Sequence, residues 1–133
     1  MTLDLIFSSN RQFAVCDYLQ SHNQLLIRSS KNDDIESNID IIFFGIKYMQ
    51  LETYCNGLII SYIKEKDFKA ISHFKFPDLV DIDNVFEIKS GDKSFYVVCA
   101  FLKVFENKLE FKETSLGIAE YKGRDKEIAS STS

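Results

Sequence analysis

The residues of this chain with the clearest chemical potential are its few thiols and imidazoles: Cys16, Cys55, Cys99, His22 and His73. Their wide spacing contains no C-x-x-C pair and no Cys/His quartet, so it does not predict a zinc site. Cys16 and Cys99 lie in apolar runs and are predicted to be buried, whereas Cys55 is predicted to be exposed beside a turn. Cys55 is therefore the one candidate nucleophile, and no motif supplies it with a base. We assign no catalytic residue.

The densest carboxylate cluster is formed by Asp78, Asp81 and Asp83. Oxygen ligands at close spacing suit hard cations such as calcium. The segment nevertheless lacks the glycine and the terminal glutamate of the D-x-[DN]-x-[DN]-G calcium loop. The chain also lacks a glycine-rich phosphate loop and a G-x-S-x-G elbow. We predict a solvated loop, no metal site and no cofactor, and keep this cluster only as an alternative enzymatic site beside Cys55.

A second acidic group lies in the polar segment KNDDIES, residues 31–37, and contains Asp33, Asp34 and Glu36. The whole chain has 20 acidic against 16 basic residues, a formal net charge of −4 and a pI near 5.2. This balance argues against nucleic-acid binding, which needs clustered cationic side chains. An acidic loop can instead steer the Lys and Arg side chains of a protein partner. We predict these three carboxylates as partner-binding residues.

Tyrosines near the middle of the chain support the same hypothesis, because Tyr is enriched at protein interfaces. Tyr48, Tyr54 and Tyr62 flank a predicted turn and join the predicted partner-binding residues. Other aromatic residues suggest an alternative, since a barrel of about eight strands can hold one small ligand. The residues that would line such a cavity are Phe43, Phe44, Tyr48, Phe95, Tyr96, Phe101 and Phe105. We favour a filled core over this cavity.

Composition restricts the class of protein. A chain of 133 residues with 45% hydrophobic and 14% aromatic residues is typical of one globular domain. No apolar run approaches the ~18 residues that a membrane helix needs, and residues 1–4 do not resemble the start of a signal peptide. We therefore expect a cytoplasmic protein that binds neither membrane nor nucleic acid.

The strongest local structural signal is Asn56-Gly57 between two apolar, β-branched runs at residues 39–51 and 58–63. Asn-Gly at such a place predicts a β-hairpin, because a type I′ turn needs positive φ at both central residues. The first run is apolar on both faces, which predicts a central strand covered on both sides. Gly45 within it predicts a bend or a bulge.

Further strands are predicted at residues 3–7, 12–18, 24–28, 85–89, 95–105 and 108–112, with the last three forming a meander. Residues 64–83 keep both helical and strand spacing, and we favour a short helix or helical turn over 66–73. The chain is thus predicted to be mainly β (β-rich α+β). We expect an antiparallel sandwich or barrel of about eight strands, with at most one or two short helices. Residues 1–117 form the predicted domain, and residues 118–133 a flexible C-terminal tail.

The leading functional hypothesis is a non-catalytic protein-binding module, a small acidic protein of bacterial type that binds a protein partner or itself. An immunity-type or antitoxin-like inhibitor would be one instance, since its acidity would match a basic toxin. The first alternative is a small-ligand-binding β-barrel. The second is a small enzyme that uses Cys55 or the Asp78/Asp81/Asp83 loop. The lack of a catalytic motif favours a protein that is not an enzyme and leaves the enzymatic alternative open.

Overall fold

The computed structural model describes residues 4–71, 75, 77–117 and 122–132. These residues form nine strands and two short 3₁₀ helices, which confirms the predicted mainly β, antiparallel class. The strands are β1 (Asp4–Leu19), β2 (Gln24–Ser29), β3 (Asn38–Phe44), β4 (Tyr48–Gln50), β5 (Tyr54–Ile63), β6 (Asn84–Ser90), β7 (Lys93–Cys99), β8 (Phe101–Asn107) and β9 (Lys126–Ser130). The 3₁₀ helices are Gln20–His22 and Glu65–Ala70. Neither helix of the described part is long and apolar enough to cross a membrane.

All strands belong to one antiparallel sheet with the order β4-β7-β6-β5-β1-β2-β3-β8-β9. Two long strands explain how this sheet closes. Residues 38–50 form β3 and then β4, and residues 93–107 form β7 and then β8, so each is one extended segment with a corner. The two segments pair with each other on both sides of their corners, β3 with β8 and β4 with β7. The strands therefore form a closed ring in which β5, β1, β2 and β3 have the Greek-key order 4-1-2-3.

The two corners meet at Gly45 and Ala100. Gly45 has a φ of 67°, and a Cβ atom added there would lie 3.1 Å from the Cβ of Ala100. Any other residue at this position would thus be destabilised both by the left-handed backbone and by the close contact with Ala100. The predicted bend at Gly45 is confirmed, and it lets the long strand pass from one half of the ring to the other.

The interior of the ring is one hydrophobic core, to which every strand of the ring contributes except β4. Its largest members are Phe13 from β1, Phe43 from β3 and Phe86 from β6, each about 1% exposed or less. The side chains of β5 and β6 therefore face those of β2, β3 and β8 across the barrel. Burial of this apolar surface is the main stabilising contribution to the fold.

Two irregular segments cover the outside of the barrel. The segment between β5 and β6, described at residues 64–71, 75 and 77–83, places Phe68, Ile71 and Leu79 against the outer face of β5, β6 and β7. The segment after β8, described at residues 108–117 and 122–125, places Leu116 against Leu26 of β2 and the neighbouring β3 and β8. The second cover explains why all six residues of β2 are buried, and it confirms that the run at residues 39–51 begins as a central strand with both faces covered.

The predicted hairpin turn at Asn56-Gly57 is wrong. Both residues lie inside β5, and Gly57, with a φ of 78°, faces a register shift in β1 between Ser9 and Gln12. The positive φ of Gly57 thus accompanies a bulge-like irregularity in the pairing of β5 with β1 and does not form a turn. The same pairing merges the two predicted strands at residues 3–7 and 12–18 into β1, because its backbone continues past the Ser-Ser-Asn sequence.

The C-terminal third also differs from the prediction. The β6–β7 hairpin is present, and the predicted long strand at residues 95–105 corresponds to β7 and β8, which continue each other around a corner. The predicted meander is not formed, because its third strand is missing. The predicted strand at residues 108–112 is absent, and Phe111 within that range is 83% exposed. The place beside β8 is instead taken by β9. Side-chain hydrogen bonds divert the chain after β8, since Asn107 Oδ1 accepts the Leu109 N–H at 3.2 Å.

Strand β9 lies in the region predicted as a flexible tail. Its residues pair with β8, so residues 126–130 are an ordered part of the sheet, while residues 118–121 lie outside the described residues. The β-pattern of KEIAS is too short and too polar to be recognised without its partner strand. The predicted helical turn at residues 66–73 corresponds to the 3₁₀ helix Glu65–Ala70, and residues 72–73 lie outside the described residues.

Candidate functional site

The loop between β2 and β3 is a compact turn held by its own polar groups. The backbone N–H of Asn32 donates to the Ile35 carbonyl at 2.9 Å, and the Ile35 N–H donates to the Asn32 carbonyl at 3.3 Å. The Asn32 side-chain oxygen also accepts the N–H groups of Asp34 and Ile35 at 2.8 and 2.9 Å. Such Asx interactions fix a turn without any hydrophobic contact. The carboxylates of the loop are therefore presented on a defined backbone.

The base of this loop is anchored to the barrel by Asn38. Its side-chain oxygen accepts the Lys31 N–H at 2.7 Å, which closes the loop. Its side-chain amide donates to Asn107 Oδ1 at 2.9 Å and to the Leu109 carbonyl at 2.8 Å. Asn38 is 1% exposed, so these bonds satisfy a buried amide. The loop is thus tied to the end of β8.

Ser37 and Glu106 form a second anchor at the side of the loop. The Ser37 hydroxyl donates to Glu106 Oε2 at 2.5 Å, and the Arg11 guanidinium donates to the Ser37 carbonyl at 2.9 Å. Lys126 of β9 contacts the other Glu106 oxygen at 2.5 Å. The hydrogen bond from Lys126, followed by that from Ser37, lowers the pKa of the Glu106 carboxyl. The charged groups at the base of the loop are therefore paired or hydrogen-bonded with other residues of the chain.

The carboxylates at the tip of the loop differ from Glu106 at its base in their exposure and in their contacts. Asp33, Asp34 and Glu36 are all exposed. Among the residues that the structure describes, none of these three side chains takes part in an ion pair. Three negative charges therefore lie within a four-residue span, and none of them is paired with a cationic side chain of the described chain. We call residues 31–37 the acidic loop.

Beneath the acidic loop lies a buried polar network that the sequence analysis missed. Arg28 and Asp40 pair on neighbouring strands, and Asp40 Oδ2 also accepts the Ser115 hydroxyl at 2.7 Å and the Asn107 amide at 2.9 Å. The Arg28 guanidinium donates further to the Glu113 carbonyl at 2.8 Å. A signal was present in the sequence, because Arg28 and Asp40 each interrupt or end an apolar strand, where a charge must be paired to be buried.

The three predicted interface tyrosines do not form one patch. Tyr54 and Tyr62 lie eight residues apart on β5, roughly 26 Å along the strand. Tyr54 is exposed, whereas the Tyr62 ring packs against the core and lies 5.9 Å from that of Phe86. Tyr48 lies on β4, at the end of the strand order. Only Tyr48 and Tyr54 present substantial surface, and they lie on β4 and β5, which are not neighbours in the strand order.

The exposure predicted for two of the three cysteines is reversed. Cys16 is exposed, whereas Cys55 is buried in the core with 6% of its surface accessible. Burial raises the pKa of the Cys55 thiol, and burial also raises the pKa values of Cys16 and Cys99. Cys99 is buried as predicted. The error arose because Cys16 occupies an exposed position in β1, where exposed and partly buried residues alternate around it, while the assumed turn beside Cys55 is strand. None of the three thiols has the lowered pKa of an activated nucleophile.

The carboxylates at residues 78–83 do not converge. Asp83 accepts the Val80 N–H at 2.9 Å and the Lys47 ammonium at 3.0 Å, while Asp78 and Asp81 are exposed. Within the described residues, no group of three or more His, Cys, Asp or Glu side chains is placed to hold a metal ion. The Asp83 carboxylate instead closes the loop and connects it to the corner before β4.

The aromatic residues proposed as a ligand lining are divided between faces. Phe43 points into the core, whereas Phe44 stacks on Phe101 outside the barrel with ring centroids 4.6 Å apart. Tyr96 belongs to the outer cluster on the other half of the barrel. An open groove of about 580 Å³ lies beside the Phe44–Phe101 pair and is bordered by Arg124, whose guanidinium lies 5.2 Å from the Phe44 ring.

The chain is thus a closed antiparallel barrel that carries an anchored acidic loop. No family model matches it, and neither a curated protein nor a solved structure does.

Proposed function

We propose that this chain is a non-catalytic protein-binding module of the cytoplasm whose acidic loop engages a positively charged surface of a partner protein. The observation that carries the proposal is the contrast between the anchored base of the loop and the uncompensated charges of Asp33, Asp34 and Glu36 at its tip. Carboxylates on a fixed backbone lose little conformational freedom on binding, and their charge accelerates encounter with a cationic partner.

The rest of the chain supports a binding role over a catalytic one. Its thiols have raised pKa values, and its buried ion pair has all its hydrogen-bonding groups engaged in structural contacts. The cysteines are unpaired in the described chain, which fits the reducing conditions of the cytoplasm. An immunity-type inhibitor that neutralises a basic toxin is one protein of this class, and its function would use both the negative net charge and the loop.

The test is native mass spectrometry of tagged protein purified from its own host at low salt. We expect one retained protein partner that dissociates as salt rises, because screening weakens exposed charge pairs. The triple variant Asp33→Asn, Asp34→Asn, Glu36→Gln should lose the partner. The matched control neutralises three other exposed carboxylates, Asp78→Asn, Asp81→Asn and Asp92→Asn, and should keep it. Equal loss in both variants would show that net charge, not the loop, is recognised.

A second candidate function is the binding of a small molecule in the groove beside Phe44 and Phe101. The stacked rings supply an apolar wall, and Gln24 and Arg124 supply polar groups at its border. Sites for small molecules commonly combine these two features. Native mass spectrometry distinguishes this function directly, since a small retained mass that is lost in Phe101→Ala would favour the groove over the acidic loop.

A further inference from the structure

The first residue of β2 carries a hydrogen-bond donor that the fold does not use. Gln24 is 5% exposed, and its side-chain oxygen accepts the Gly117 N–H at 2.9 Å and the Arg124 guanidinium at 3.4 Å. Because only the oxygen of an amide accepts hydrogen bonds, these contacts fix the orientation of the group. Within the described chain, the NH₂ group at its other end donates to no residue. A largely buried donor is thus left without a partner.

This donor still reaches open space. Among the residues that the structure describes, Asp67 Oδ2 is the one fully buried side-chain nitrogen or oxygen without a hydrogen-bond partner. The Gln24 nitrogen therefore keeps some contact with the surroundings, and Gln24 borders the groove of about 580 Å³ beside Phe44 and Phe101. Buried polar groups in folded proteins nearly always have a partner. A molecule in the groove is in the place to satisfy this one.

The strand pairing places the donor in line with two aromatic rings. Leu25 of β2 pairs with Phe43 of β3, so the next position along the two strands sets Gln24 beside Phe44. Phe44 pairs in turn with Phe101 of β8, and their rings stack with centroids 4.6 Å apart and 15° between the planes. Side chains directly opposite each other on paired strands share one face of the sheet. The groove therefore has an amide donor and two stacked rings in one row.

The charged residues that line the groove favour an uncharged occupant. Lys103 forms an ion pair with Glu127 at 3.1 Å, and the Arg124 guanidinium donates to two backbone carbonyls at 2.7 and 2.9 Å. Asp125 is exposed and pairs with no cation of the described chain. Both cations are thus engaged within the chain. An anionic ligand would bring a further negative charge close to Asp125 and Glu127, which would repel it.

We infer that the groove binds an uncharged aromatic molecule that carries a hydrogen-bond acceptor, either a carbonyl oxygen or a ring nitrogen. The ring of the ligand stacks on the Phe44–Phe101 pair, and its acceptor takes the hydrogen bond that the Gln24 NH₂ group offers. Aromatic rings gain stability from such stacking beyond the burial of their area. A volume of about 580 Å³ with an apolar wall and few polar groups is in the range of small-molecule sites.

This inference rests on the second candidate function, the binding of a small molecule in the groove, and names its ligand class. It is independent of the acidic loop. A ligand that lacks the acceptor leaves the Gln24 donor unsatisfied, whereas a ligand that lacks the ring has nothing to stack on Phe101. The two features can therefore be tested separately.

The experiment is a titration of the isotope-labelled full chain, followed by two-dimensional proton–nitrogen correlation NMR, with matched probes. Acetophenone has both features, ethylbenzene replaces its carbonyl by a methylene group, and cyclohexyl methyl ketone keeps the carbonyl without an aromatic ring. Acetophenone should bind with a dissociation constant on the order of 1 mM, the affinity typical of so small a ligand. It should shift the side-chain NH₂ signals of Gln24 and the backbone signals of Phe44 and Phe101, while those of Asp33 and Asp34 stay in place.

The other two probes should bind at least about threefold more weakly than acetophenone, because each lacks one of the two contacts. Phe101→Leu keeps an apolar side chain and removes the ring. This variant should weaken the binding of acetophenone about two- to tenfold and change that of cyclohexyl methyl ketone little.

Gln24→Glu separates the donor from the fold. This variant keeps an oxygen for the Gly117 N–H and the Arg124 guanidinium, and the new carboxylate remains ionised beside that guanidinium. It lacks the NH₂ donor, so the affinity for acetophenone should fall at least about tenfold. Gln50→Glu makes the same chemical change at an exposed position of β4 and should leave the affinity unchanged. Circular dichroism of each variant checks that the barrel is retained.

The inference is overturned if acetophenone gives no saturable shift up to about 10 mM, if the shifted signals lie outside the groove, or if Gln24→Glu binds as well as Gln50→Glu. Equal binding of all three probes in the groove would contradict the ligand class while the second candidate function stands. If none of the probes shifts the groove signals, both fail together. Partner binding by the acidic loop is measured separately, so it can fail or hold in either case.

Discussion

Arg28 and Asp40 lie directly opposite each other on β2 and β3 and are joined by two hydrogen bonds, Nε to Oδ1 at 2.6 Å and Nη2 to Oδ2 at 2.9 Å. Both side chains are almost completely inaccessible to solvent. Because Asp40 also binds Ser115, the pair connects the wall of the barrel to the segment that covers it. This two-pronged geometry is the strongest form of an Arg–carboxylate contact.

Removing the charge of Asp40 should therefore destabilise the whole domain. Asp40→Asn leaves the buried Arg28 without a counter-charge, and we expect the free energy of unfolding to fall by about 3 to 5 kcal/mol. Urea unfolding followed by circular dichroism measures this change. The control is Glu110→Gln, which removes an exposed ion pair with Lys31 and should change stability little. Equal effects of the two substitutions would contradict the structural role of the buried pair.

The contact between Gly45 and Ala100 predicts a second stability difference. Gly45→Ala should cost about 2 kcal/mol or more, because the added Cβ combines a left-handed backbone with a tight contact to Ala100. Gly91→Ala is the matched control, since Gly91 has a similar φ of 62° but no atom within 4 Å of the added Cβ. Thermal unfolding of both variants compares them. A Gly91 variant as unstable as the Gly45 variant would mean that the corner has no special packing.

Asp83 predicts a pH dependence of stability. The Val80 N–H and then the Lys47 ammonium hold the pKa of the Asp83 carboxyl below its usual value. A lowered pKa in the folded chain adds stability that is present above the unfolded value of about 3.9 and is lost as the pH falls through the folded value. Urea unfolding between pH 7 and pH 2 measures the free energy of unfolding. In Asp83→Asn this free energy should decrease less at low pH than it does in the unmodified chain.

Lys47→Met separates the two causes of that shift. The Val80 N–H, the largest single cause of the lowered pKa, remains in this variant, so part of the acid dependence attributed to Asp83 should persist. If instead Asp83→Asn unfolds with the same pH dependence as the unmodified chain, the carboxylate does not stabilise the loop.

The cysteines predict a simple labelling pattern. Cys16 is exposed while Cys55 and Cys99 are buried, so a thiol reagent should label only Cys16 rapidly in the folded chain. Burial, the largest cause, raises the pKa of Cys16, so labelling should keep accelerating above pH 9. Mass spectrometry of the labelled protein identifies the site, and Cys16→Ser should abolish the rapid phase. Rapid labelling of Cys55 would contradict its place in the core.

The pattern of apolar residues predicted most strands, because β2, β3, β6 and β7 carry apolar side chains at the positions that are buried. The pattern led to a wrong prediction at Asn56-Gly57, because a positive φ occurs both in turns and in bulges. Which of the two forms depends on the strand that pairs with these residues. The prediction also failed at Cys55, whose expected exposure followed from that error. The acidic loop was predicted as a loop, but the anchoring by Asn38 depends on Asn107 from a strand 69 residues away in the chain.

The sequence by itself determined the antiparallel β class, the bend at Gly45 and the acidic, polar character of residues 31–37, because alternation, backbone freedom and charge are local properties. Only the tertiary structure decided that the sheet closes into a ring, that β9 pairs beside β8, and that Arg28 meets Asp40. Those features are pairings between distant segments. Their free energy comes from surface that is buried jointly, and no single segment contains the information about its partner.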